Sequence, residues 1–250
     1  MTYKLYQLFI ALPLLLMATV LTAIVTIAGC ALGRAKIWGY YPAMIWSRLM
    51  CWGMLLPVKV EGQELLDKKQ SYVFVGNHQG PYDIFLVYGF LGRNFKWMMK
   101  KSLRDIPLIG KACESAGHIM VDKTGPKAIQ KTCEQGRKVL EHGVSLFVFP
   151  EGARTFTGHM AKFRRGAFLI ADELQLPVVP VTIDGSFDVL PRQKGFNFLT
   201  RHKLRLIIHS PIPHDGQDSE AIQHTLEQSY DIIMHDLPKH YQGYVENPDQ

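Results

Sequence analysis

Hydrophobic and polar positions along the chain fall into two regimes. From Leu5 to Gly33 no residue is charged, and Leu, Ile, Val and Ala predominate. A helix rises about 1.5 Å per residue, and about 20 apolar residues cross a bilayer core. The stretch after Pro13, Leu14 to Leu32, alone supplies 19. Ala28-Gly29-Cys30-Ala31 mimics the small-residue end of a signal peptide, but the run is longer than the usual apolar part of one, about 7–15 residues. Membrane insertion is therefore expected. The next segment, Ile37 to Val58, is apolar and aromatic (Trp38, Tyr40, Tyr41, Trp46, Trp52) but contains Arg48. Three placements stand open for it: an interfacial helix, the return leg of a re-entrant hairpin, or a buried first helix of a soluble domain. A second full span would put Arg48 near mid-bilayer. Arg34, Lys36 and Arg48 follow the apolar run while only Lys4 and the amino terminus precede it. That bias places the remaining chain in the cytoplasm, with the anchor in the cell (inner) membrane.

Beyond Val58 the period changes. Short apolar runs predict strands at Tyr72–Val75, Lys96–Met99, His118–Val121, Leu146–Phe149, Val178–Ile183 and Leu204–Ile208. Two helices are predicted between and after them. Pro126–His142 has Ile129, Cys133, Gly136 and Leu140 on one face, with Gly143 as a stop; Ser219–Leu237 carries Ile222, Leu226, Ile233 and Leu237. Pro180 inside its strand suggests an edge or irregular position. The alternation predicts an α/β fold, a mixed, mostly parallel sheet flanked by helices, preceded by an N-terminal hydrophobic membrane-anchoring helical segment. No internal repeat or long linker is evident. The expected division is a membrane-associated segment over 1–58 and one α/β domain over 59–250.

Composition sharpens this picture. With 250 residues, 47% of them hydrophobic, disorder is excluded. Cys30, Cys51, Cys113 and Cys133 form no close pair, which excludes a disulfide-dense scaffold and fits reduced thiols. A net charge of +6 and a mean hydropathy of zero are averages over unlike parts. Arg93 to Lys138 holds 11 basic and 4 acidic residues, whereas His209 to Gln250 holds 1 basic and 8 acidic. The basic block suits anionic headgroups, a phosphorylated substrate or a solvated face. No nucleic-acid motif accompanies it, so no nucleic-acid partner is expected.

Four blocks carry candidate chemistry. Val75 to Asp83 reads VGNHQGPYD and joins a predicted strand to an apolar helix. A turn through Gly80 and Pro81 folds Asp83 back on His78, leaving the other imidazole nitrogen as a base. The plainer reading has Asp83 capping the helix and His78 unrelated to it. Phe147 to Thr155 reads FVFPEGART, again a strand running into a loop; Gly152 permits close approach and Arg154 offers a planar fork to phosphate oxygens, or is a surface arginine. Lys101 to Gly110 with Gly117 to Lys123, and the Val179-Pro180-Val181 run, complete the set.

In this order the four blocks resemble those of the glycerolipid acyltransferases. Asn77–Asp83 matches the pattern NHxSxxD apart from Gly80 in the Ser position. Phe149–Thr155 matches FPEGTRS apart from Ala153 and Thr155, and Lys123 stands where Arg is more usual. The resemblance spans roughly Val73 to Val181. It implies a His78–Asp83 catalytic dyad, with Asn77, Lys101, Lys123, Glu151, Gly152 and Arg154 in substrate binding. It also implies acyl transfer from acyl-CoA or acyl-carrier protein to the sn-2 hydroxyl of lysophosphatidic acid, without metal or tightly bound cofactor. Transfer to another acceptor, or non-catalytic binding of anionic lipid, are the alternatives. GxSxG, P-loop and HExxH patterns are absent. Five histidines between His209 and His240 match no zinc spacing and are expected to be exposed.

Overall fold

The computed structural model describes residues 2–121, 126–140, 143–193, 197–214, 216 and 218–245. An N-terminal helix, α1 (Thr2–Ala31), is long and apolar enough to cross a membrane. One side of it docks onto the rest of the chain: Leu15, Ala23, Thr26 and Gly29 are buried, and Trp46 Nε1 donates to the Thr19 hydroxyl at 2.8 Å. The Tyr3 and Tyr6 hydroxyls donate to the Met54 and Gly53 carbonyls, and the Gln7 amide exchanges two 2.9 Å hydrogen bonds with the Leu199 backbone. Gln7–Ala11 is wound as a π-helix. One turn, α2 (Ala35–Trp38), leads to α3 (Tyr41–Gly53).

The three open placements of this second segment resolve into a helix with two faces. Ser47 and Cys51 are buried against the domain, and the Arg48 Nε donates to the Gly89 carbonyl at 2.8 Å. Tyr41, Ile45, Leu49 and Trp52 point outward at helical spacing. At 13 residues α3 is too short to span a bilayer core.

The chain then alternates: β1 (Val58–Glu61), β2 (Val73–Gly76), α4 (Tyr82–Phe90), β3 (Phe95–Lys100), α5 (Ile109–Ser115), β4 (Ile119–Val121), α6 (Pro126–Val139), β5 (Ser145–Val148), α7 (Gly166–Glu173), β6 (Val178–Asp184), α8 (Ser186–Val189), β7 (Leu204–Ile208) and α9 (Ser219–Asp236). The seven strands form one sheet in the order β1-β7-β6-β2-β5-β3-β4, parallel throughout except for β6 against β7. Strand alternation sorts the core to two faces. Phe74, Phe147, Val179 and Val181 meet α3 and α4, while Val73, Val75, Leu146 and Val148 meet α6, α7 and α9.

All six expected strands are present, with ends shifted by a residue or two. The seventh, β1, is short and polar at alternate positions (Val58-Lys59-Val60-Glu61), and escapes a search for apolar runs. The four core positions expected of α9 are all buried, Ile222, Leu226 and Ile233 on the helix and Leu237 just past its end. Pro180 is not at an edge: β6 lies inside the sheet between β2 and β7. Val178 bridges Ile212 while Val181 pairs with Ile208, so the ladder slips by one residue at the proline. The Pro180 carbonyl accepts from the His209 N–H on that side, so the missing proline donor falls where the ladder is already broken. His209 and His214 are also not exposed. Each is half-buried and hydrogen-bonded, to Thr182 at 2.8 Å and to Asp172 at 2.9 Å.

Candidate active site

The carboxyl ends of the parallel strands β2, β5 and β3 lie side by side, so the segments that follow them share one rim of the sheet. That rim is where open α/β sheets present ligand sites. After β2 comes Asn77–Pro81, and after β5 comes the long loop 149–165. β6 reaches further than its neighbour β2. Asn77 continues the ladder onto it with its side chain: the amide Nδ2 donates to the Ile183 carbonyl and Oδ1 accepts the Ile183 N–H, both at 2.8 Å. Fully buried, with both amide atoms paired to Ile183, Asn77 fixes the start of the loop.

His78 Nδ1 lies 2.7 Å from Asp83 Oδ2. The same oxygen accepts the Gly80 N–H at 2.8 Å, so the turn brings both donors onto one carboxylate oxygen. Asp83 also stands in the first turn of α4, where the helix dipole favours its charge. The capping and the dyad readings of Asp83 therefore hold together. Its side chain is 0% exposed, whereas that of His78 is 15% exposed. With Nδ1 directed to Asp83, Nε2 is the nitrogen left to a reactant. The ring is clamped flat on Phe149, 3.9 Å away and 7° from parallel, and Phe149 stacks in turn on the buried Trp97.

Glu151 lies behind the histidine. Its Oε1 accepts the His78 N–H at 2.7 Å and its Oε2 accepts the Ala161 N–H at 2.8 Å. Burial pushes this carboxyl up to about 8; the two N–H donors oppose the rise and the charge of Asp83 adds to it. Both oxygens are thus committed to backbone inside the protein, so Glu151 ties the β2 loop to the β5 loop. Thr155 N–H donates to the His78 carbonyl at 2.9 Å and adds a second tie. Gly152 has φ +77, a left-handed backbone that strains any other residue, and a Cβ there would also press on the Arg164 guanidinium. Arg154 is half-buried, and its guanidinium has no partner among the described residues. Its carbonyl accepts from Arg192, whose guanidinium lies 3.9 Å above the Phe156 ring. Lys101 is exposed on the turn directly after β3. Lys123 lies outside the described residues. Among the described residues no group of His, Cys, Asp and Glu is arranged to hold a metal.

Sequence reasoning missed the residues that hold the loop from behind. Gln79 Nε2 donates to the Gly158 carbonyl at 3.1 Å. Gly158 abuts the ring of Tyr241, whose hydroxyl donates to Asp188 at 2.8 Å. On the other flank a Cβ at Gly80 would lie 2.7 Å from the Ser186 hydroxyl and 2.8 Å from its carbonyl oxygen. Tyr241 therefore joins the two segments that enclose His78, Gln79 and Gly80. Nothing near Tyr241 in the sequence signals this. The departure at Gly80 was the one available clue, because Ser186 occupies the space a motif serine would need.

A sequence model of the family described as Acyltransferase matches residues 57–184. The chain is 29% identical over 194 residues to a 1-acyl-sn-glycerol-3-phosphate acyltransferase of Cocos nucifera, covering 77% of this chain and 62% of that protein. It is 30% identical over 210 residues to the protein of the same description from Saccharomyces cerevisiae, covering 82% and 68%. A chloroplastic relative from Arabidopsis thaliana is matched over 48% of its length, so the chain spans about half to three-fifths of some curated relatives. Among solved structures, the 1-acyl-sn-glycerophosphate (LPA) acyltransferase of Thermotoga maritima superposes with a TM-score of 0.70 at 25% identity, over 88% of this chain and 92% of that one. With the mixed sheet, the rim site and the family match over more than half its length, the chain belongs to the acyltransferase family.

Proposed function

We propose that the protein transfers an acyl group from a thioester, acyl-CoA or acyl-carrier protein, to the sn-2 hydroxyl of lysophosphatidic acid, giving phosphatidic acid at a membrane. The observation that carries this reading is the 2.7 Å contact between His78 Nδ1 and the buried Asp83 carboxylate, which leaves Nε2, on a ring still 15% exposed, to a reactant. The acceptor hydroxyl gives its proton to Nε2 as its oxygen attacks the thioester carbonyl carbon. Asp83 holds the imidazole in the tautomer that accepts this proton and stabilises the imidazolium that results. The tetrahedral intermediate then collapses, the C–S bond breaks, and the departing thiolate takes the proton to leave as a thiol. No protein nucleophile is required, because the acceptor oxygen fills that role.

Arg154, whose guanidinium has no partner among the described residues, is the phosphate partner in this reading, with Lys101 and Lys123 adding positive charge. Asn77, Glu151 and Gly152 act on the substrate through the loop they shape. Residues 1–58 form the membrane-associated segment and 59–250 the catalytic domain, which faces the cytoplasm beside the basic pair Arg34 and Lys36. Such an enzyme receives its acceptor from the lipid plane and its donor from water. The deciding experiment is thiol release from acyl-CoA and acyl-carrier protein with a panel of lysolipids. Release should depend on lysophosphatidic acid and be abolished by His78→Ala. Substantial release by the variant overturns the dyad, and a preference for another acceptor overturns the substrate.

A further inference from the structure

Outside the N-terminal helices, exposed large apolar side chains gather in one place among the described residues. The turn between β3 and α5 runs from Lys101 to Ile109 with every residue exposed. Leu103, Ile106, Leu108 and Ile109 there are 40, 40, 36 and 41% accessible. Elsewhere after Leu65 the only comparable residues among those described are Tyr244 and Val245. The turn is held in shape: a Cβ at Gly110 would strike the Arg104 backbone, and Leu108 adopts φ +65, which a leucine rarely takes without compensation elsewhere. This backbone thus holds apolar side chains outward at a strained position, where water gives no return.

Three observations identify the occupant. First, the turn is continuous with the anchor, because α5 packs on the Leu12–Ala31 part of α1, and Ala116 just beyond α5 abuts Gly39. The turn therefore stands beside the carboxyl end of α1, where Arg34, Lys36, Trp38 and Tyr41 form the basic and aromatic composition of a membrane–water boundary. Second, the turn has the same composition: Lys100, Lys101, Arg104 and Lys111 accompany Asp105 as the sole acid between them, and Arg104 and Lys111 both reach Glu114 behind it. Third, it extends directly from β3, so it lies at the rim of the sheet that carries His78. We infer that residues 101–109 are a second membrane contact, a turn that enters the headgroup region of an anionic bilayer next to α1 and fixes the height of the active-site rim above the lipid. This inference rests on the membrane reading proposed above.

The test uses the full chain on vesicles of equal parts phosphatidylcholine and phosphatidylglycerol, with the phosphatidylcholine brominated on its acyl chains. Tryptophan is introduced singly as Ile106→Trp and as Leu21→Trp, and quenching is read relative to the parent protein. Quenching at both positions is the expected result. Quenching at Leu21→Trp alone overturns the second contact while leaving the anchor intact, and quenching at neither overturns the membrane reading itself. In a second measurement, Leu103→Asp/Leu108→Asp should raise the apparent KM for vesicle-borne acceptor about tenfold, since two apolar contacts are replaced by charges that anionic lipid repels. Its KM for a short-chain acceptor dissolved in water should stay at the parent value. An equal rise for both acceptors would overturn the inference, because it would mean the site itself had been damaged.

Discussion

The loop that carries His78 and the helix that carries Met17 break the ordinary sorting of side chains in opposite directions. At the sheet rim Asn77, Asp83 and Glu151 are polar and buried, and each is hydrogen-bonded to backbone or to His78, Asp83 through Oδ2 alone. On α1, Phe9, Met17 and Leu21 are apolar and 70, 63 and 60% exposed. Buried polar groups are tolerated when they are hydrogen-bonded, and they then hold one geometry rigidly. Exposed apolar groups on this scale call for a surrounding other than water. One region is thus organised from within, whereas the other is completed from outside.

If the two regions are independent, changes should separate them. Asp83→Asn should leave vesicle binding intact and lower kcat by about 10⁴, the scale seen when the orienting acid of a catalytic histidine is replaced; a loss under tenfold would remove Asp83 from the chemistry. Met17→Glu/Leu21→Glu should do the reverse. Partition onto vesicles should fall about a hundredfold or more, because each charge is costly inside a bilayer. Thiol release with a water-soluble acceptor should persist, and a joint loss would show that the two regions are coupled. Arg154→Ala should raise the acceptor KM about tenfold or more, as expected for losing a charge-assisted hydrogen bond, with the donor KM unchanged. An unchanged acceptor KM would refute its phosphate contact.

The smallest effect concerns Glu151. Its folded pKa, about 8, lies above the ordinary value of 4.5, so the folded state holds a proton that the unfolded state releases first. Stability from this group is complete below about pH 4.5 and declines as pH rises toward 8. Melting temperature should therefore fall more steeply over that window in the parent than in Glu151→Gln. Equal slopes would show that the carboxyl does not titrate there.

How much of this was legible beforehand depended on sequence distance. His78 and Asp83 are five residues apart, so a turn signal between them is enough to suggest their contact. The strand-then-loop pattern also placed Glu151 and Arg154 on a loop after a strand. Burial, however, is a tertiary property. Nothing local says that Asn77 spends its amide on Ile183, or that Glu151 accepts the backbone of His78 and Ala161. Ser186 and Tyr241 were invisible for the same reason, since Gly80 lies far from the one in sequence, and Gly158 and Asp188 far from the other. β1 was missed because its alternating Val58-Lys59-Val60-Glu61 lacks an apolar run, although pairing with β7 gives it a clear place.

The contact of Tyr241 with Gly158 and Asp188 has a consequence for synthesis. Tyr241 is 163 residues after His78. At about 5–20 residues per second, a ribosome reaches it roughly 8–30 s after the histidine has been made. By then α1 has long left the exit tunnel and met its surroundings, while the loop around His78 still lacks the side chain that joins its two flanks. The two flanks of the His78 loop are thus joined only late in synthesis, long after α1 has emerged.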